Sequence, residues 1–90
     1  MKNDNNKLSI VLVDWLDSCG DPGWKFSEEI SVHLMVCQTV GFLVSETKEA
    51  IAVALNRTTT LGYKPFGDII SIPRVAIRKI KILAKVDHPK

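Results

Sequence analysis

Apolar and polar positions alternate with a period of two through most of this chain, which is the signature of extended strands and not of amphipathic helices. The first such run is Leu8-Ser9-Ile10-Val11-Leu12-Val13-Asp14-Trp15-Leu16. Leu8, Ile10, Leu12 and Asp14 share one face, and Ser9, Val11, Val13 and Trp15 share the other. Both faces are mostly apolar, so the strand is expected to be central in a curved sheet or covered on its second side by another subunit. Ser31 to Val44 reads as a second, longer strand interrupted by Gly41, where a bulge or sharp bend is expected. Val40 to Val44 and Ala50 to Leu55 flank the charged tip Ser45-Glu46-Thr47-Lys48-Glu49, a spacing that predicts an antiparallel hairpin. Ile69 to Ile72 forms a short fourth strand that Pro73 stops, Arg74 to Ile77 offers one helical turn, and Arg78 to Leu83 resumes the alternation.

The connections are as informative as the strands. Asp17-Ser18-Cys19-Gly20-Asp21-Pro22-Gly23-Trp24 is dense in turn formers and predicts a long first loop, within which Ser27 caps a short turn over Ser27-Glu28-Glu29. Asn56 to Asp68 predicts a second long loop. Five strands with this order of loops match an all-β, SH3-like or Sm-like small barrel with a helical turn before the last strand. The competing reading is an α+β domain with a helix near 26–37, because Ile30, Leu34 and Cys37 also satisfy helical spacing. The barrel is expected to span 8–83, between a disordered leader at 1–7 and a charged tail at 84–90.

Composition narrows the classes. Ninety residues at 46% hydrophobic content suit one small core, and a net charge of +2 is too mild to imply nucleic acid by itself. No apolar run approaches the roughly 18 residues of a membrane span and no signal-peptide pattern follows the polar start, so a cytoplasmic protein is expected. Two cysteines, Cys19 and Cys37, are then expected as free thiols. With His33 and His88 they reproduce no metal-ligand spacing. No nucleophile elbow, Walker loop or dinucleotide fingerprint occurs, so neither catalysis nor a cofactor is expected.

Three groups of residues have chemistry suited to binding. Asp17 and Ser18 at the end of the first strand, with Trp24 closing the glycine-rich loop, place a carboxylate, a hydroxyl and an aromatic face near one mouth of the barrel. The plainer account is an Asx turn with Trp24 plugging the barrel end. Arg57 and Thr58, followed by Thr59, Thr60, Tyr63 and Lys64, offer cations and hydroxyls to phosphate oxygens, and Tyr63 offers a ring to a base, against the plain account of a solvated loop. Arg74, held on a turn by Pro73, is the cation expected to make a specific contact, whereas Arg78, Lys79 and Lys81 also suit protection of a strand edge.

Val13-Asp14-Trp15-Leu16-Asp17-Ser18, then Gly23-Trp24, then Val40-Gly41-Phe42-Leu43-Val44, then Ile72-Pro73 with Ala76-Ile77, resembles a family of small phage and prophage accessory proteins. The resemblance spans Val11 to Leu83. It implies a protein of the host cytoplasm that binds and neutralises a host defence component or its signal, and it does not imply an enzyme. Two functions are therefore expected. One is a homo-oligomer that sequesters a nucleotide-derived immune signal through its loop cations and aromatics. The other is an interaction module of Sm-like type that docks on a host protein or, less favoured, on single-stranded RNA.

Overall fold

The computed structural model describes residues 7–88 and contains one five-stranded antiparallel sheet. The strands are β1 (Lys7–Asp17), β2 (Met35–Glu46), β3 (Ala50–Arg57), β4 (Phe66–Pro73) and β5 (Ile77–Asp87), in spatial order β4-β3-β2-β1-β5. A 3-10 turn at Arg74–Ala76 precedes β5, where the sequence order placed one helical turn. The sheet does not close, because β4 and β5 are its two edges and do not pair with each other. The helix near 26–37 is absent: Ser27–Glu29 is a single 3-10 turn and β2 begins at Met35. Period-two apolarity outweighed the helical spacing of Ile30, Leu34 and Cys37.

β2 is the hinge of the sheet. Its first half, Met35 to Phe42, pairs with β1, and its second half, Phe42 to Glu46, pairs with β3. The strand changes partner at Gly41–Phe42 because the β3 backbone passes directly over Gly41. A Cβ at Gly41 would lie 2.5 Å from the Ala54 carbonyl oxygen and 2.7 Å from Val53 Cγ1. Only a residue with no side chain permits that approach. The two halves fold toward each other and bury Val11 and Val13 of β1 against Ile51 and Val53 of β3 and Ile72 of β4. Trp15, Leu43, Ile70 and Ile77 close the rim of this core, and Trp15 Nε1 donates a 2.9 Å hydrogen bond to Thr39 Oγ1. Each fully buried aliphatic contributes about 1.5–3 kcal/mol of burial, so the core is small.

The remaining boundaries follow the available partners. β2 starts four residues later than the Ser31 its pattern predicts, because β1 ends at Asp17, which is opposite Met35. β5 runs on to Asp87 through residues expected to be tail, with Leu8 opposite Val86 and Lys7 Nζ 2.7 Å from Asp87 Oδ1. The leader expected at 1–7 lies outside the described residues except for Lys7, which is in β1. The hairpin tip is fastened by Thr47, whose hydroxyl accepts the N–H groups of Glu49 and Ala50, and by Arg74, whose Nε donates to the Thr47 carbonyl at 2.8 Å. Among the described residues no helix is long and apolar enough to cross a membrane.

Candidate functional site

The face of β2, β1 and β5 turned away from the core carries a short polar line among apolar neighbours. Residues directly opposite in neighbouring strands point to the same side of a sheet. Gln38 of β2 is opposite Asp14 of β1, and Asp14 is opposite Lys79 of β5. Gln38 Nε2 donates to Asp14 Oδ1 at 2.7 Å, which fixes both side chains. Gln38 Oε1 and Asp14 Oδ2 remain as acceptors for something else.

β5 adds a second cation to the same place by an irregularity. Its register against β1 shifts between Asp14↔Lys79 and Trp15↔Ile77, leaving Arg78 as the extra, unpaired residue of a bulge. Consecutive residues of a regular strand point to opposite faces, but a bulge re-aims one of them. Arg78 and Lys79 accordingly line one concavity of about 570 Å3 together with Asp14, Gln38 and Val36. Neither cation has a hydrogen bond or ion pair among the described residues. The regular alternation expected for β5 placed Arg78 and Lys79 on opposite sides; the bulge is the physical reason they are not.

The residues singled out in the sequence are distributed over four places. Asp17 ends β1 and accepts the neighbouring Ser18 N–H on its own Oδ1 at 2.8 Å, a contact one residue on and not the Asx turn expected as the plainer account. Trp24 does not plug the barrel: it stands on the excursion of residues 18–34, fully exposed at 103%, beside Lys25, Phe26 and Glu29. The turn there is capped by Glu29, whose carboxylate accepts the Phe26 N–H, and not by Ser27. Arg57 and Thr58 do come together, with Lys64, in a concavity of about 240 Å3 at the β3–β4 connection, and Tyr63 lies exposed in that connection. Arg57 is already engaged there, its guanidinium 5.5 Å from the Phe42 ring centroid and donating to the Asp87 carbonyl at 2.7 Å.

Arg74 sits at the opposite end of the β3–β4 ladder from Arg57, roughly 20 Å away at the usual strand rise. Its guanidinium is committed to Thr47 O and to Glu46 Oε1 at 3.1 Å, so it fastens the hairpin tip. The polar line at Asp14 and Gln38 went unchosen in the sequence, although a signal existed: each is the lone polar residue on its side of an otherwise apolar strand. Cys19 and Cys37 are free, and no group of three or more His, Cys, Asp or Glu side chains able to hold a metal occurs among the described residues. Comparison with protein-family models, curated proteins and solved structures finds no match to this chain.

Proposed function

We propose that this chain is a non-enzymatic binding protein of the phage accessory kind its sequence resembles, acting in the host cytoplasm to sequester a nucleotide-derived signal. The ligand is held in the groove of Asp14, Gln38, Arg78 and Lys79. The observation that supports this reading is the pair of consecutive cations, engaged by none of the described residues, that the β5 bulge delivers beside a fixed carboxylate–amide pair. Arg78 presents a planar fork of donors and Lys79 a mobile point charge, a combination suited to phosphate oxygens. Gln38 Oε1 and the second Asp14 oxygen suit ribose hydroxyls or an exocyclic amine, and Val36 supplies an apolar wall for the face of a base.

The test is titration calorimetry of the full chain against cyclic dinucleotides and adenine-ribose signals, with chromatography of the recovered ligand. Binding of an intact ligand, weakened at least tenfold by combined Arg78→Ala and Lys79→Ala and unchanged by Arg74→Ala, is the expected result. Absence of heat with every ligand, or binding indifferent to the double substitution, rejects the groove. Retention of single-stranded RNA with a steep loss in salt would instead favour the interaction-module reading.

A further inference from the structure

The excursion between β1 and β2 leaves a segment with the pattern of a strand and no strand beside it. Ile30, Val32, Leu34 and Val36 continue the alternation of β2 outward, and all four are exposed, Val32 at 96%. The backbone of Ser31–Leu34 makes no backbone hydrogen bond with the described residues, because β1 has ended opposite Met35. Unpaired backbone flanked by apolar alternation is an open template for another strand. We propose that the partner is a second copy of this chain, and that residues 30–34 of two copies pair antiparallel about a two-fold axis at Val32, joining the two sheets. This inference is independent of the ligand proposed for the groove.

Two features single out a second copy. First, the segment is self-complementary in that register. Centring the axis on Val32 sets Ile30 opposite Leu34 and Val32 opposite its own counterpart on one face, and Ser31 opposite His33 on the other. No formal charge occurs from Ile30 to Val36 with His33 neutral, so two copies meet without like-charge repulsion. Second, the exposed parts of Trp24, Phe26, Ile30, Val32 and Leu34 offer on the order of 700 Å2 per copy, close to the roughly 800 Å2 per partner of a stable interface.

Sedimentation velocity of the full chain at about 10 μM, a concentration at which a micromolar interface is mostly formed, should report a dimer. Val32→Glu sets two carboxylates against each other on the axis and should weaken dimerisation by roughly 100-fold or more. Val75→Glu, at a side chain exposed to 99% on the far turn, should leave the dimer intact. Strand neighbours bring their Cα atoms within disulfide reach. Val32→Cys in a Cys19→Ser, Cys37→Ser background should therefore form a covalent dimer on mild oxidation, while Val75→Cys in the same background should not. A monomer at 100 times the first concentration, an assembly unaffected by Val32→Glu, or equal cross-linking at the two positions overturns the proposal. The cross-linking arm decides the question should Val32→Glu fail to fold.

Discussion

Replacing Gly41 with alanine tests the folded-over geometry of the sheet at its narrowest point. The added methyl would sit 2.5 Å from Ala54 O and 2.7 Å from Val53 Cγ1, well inside van der Waals contact. Val53 has little freedom to turn aside, because it is fully buried in the core. The Ala54 carbonyl cannot retreat either, since β3 is tied to β2 on one side and to β4 on the other. Overpacking of this kind costs about 1–3 kcal/mol, and the upper part of that range applies where the opposing atom is backbone. Stiffening of the unfolded chain by alanine returns about 0.4–1 kcal/mol. A net loss of about 2 kcal/mol remains, out of the roughly 5–13 kcal/mol available to a domain of this length. Thermal unfolding at fixed protein concentration should show it as a fall in Tm of about 8–16 °C. Gly20→Ala, with nothing within 4 Å of its Cβ, is the matched control and should lose nothing, keeping the gain of about 0.4–1 kcal/mol from the stiffer unfolded chain. A Gly41→Ala protein that melts within about 2 °C of the parent, or no lower than the control, would refute the close crossing of β3 over β2.

Three further outcomes are expected from urea titrations. Asp68 lies in β4 with φ at 56° and accepts a hydrogen bond from Asn56 Nδ2. Asp68→Val should cost about 2 kcal/mol, because a β-branched side chain in the left-handed region is strained and the hydrogen bond is lost; a loss below about 0.5 kcal/mol would deny the conformation. Arg74→Met should cost about 1 kcal/mol by releasing the hairpin tip from Thr47 O and Glu46, a modest figure because the pair is partly solvated. Removal of residues 84–90 takes away the strand opposite Leu8, the Lys7–Asp87 pair and the carbonyl that receives Arg57. It should cost about 2–3 kcal/mol, and a truncated protein as stable as the parent would show that β5 ends sooner than Asp87.

The strand content was legible in the sequence because each strand carries its own evidence. Val11 and Val13 announce a buried face by alternation and Ser45 to Glu49 announces a reversal, whereas the irregularity expected at Gly41 falls instead between Leu43 and Ser45. What could not be read locally is where a strand runs out of partner. Ser31 to Leu34 has the same pattern as the paired residues after it, and it stays outside β2 because β1 stops at Asp17. The reverse happens at Ala84 to Asp87, where charge suggested a tail and the N-terminal half of β1 supplied a partner. Closure of the sheet is likewise a relation between β4 and β5, which are separate edges, and no property of either sequence alone decides it.

The groove was hidden for a related reason. Charge identifies Arg57, Arg74, Arg78 and Lys79 equally well, so the sequence ranks them by context, and Pro73 made Arg74 look rigidly presented. Rigidity there comes from engagement: Glu46, Thr47 and Glu49 all bind residue 74, which leaves its guanidinium spent on the fold. Arg78 is the contrasting case, because the bulge frees it from alternation and no described residue pairs with it. A cation available for a ligand is one the fold has failed to use, and that is a property of its surroundings. The bulge also explains why this surface lies beside β1 and β5 and not in the long loops. Within the long loops the amides of Ser18 and Thr60 are answered by side chains one and two residues away, whereas a bulged edge strand leaves side chains aimed where no strand neighbour answers them.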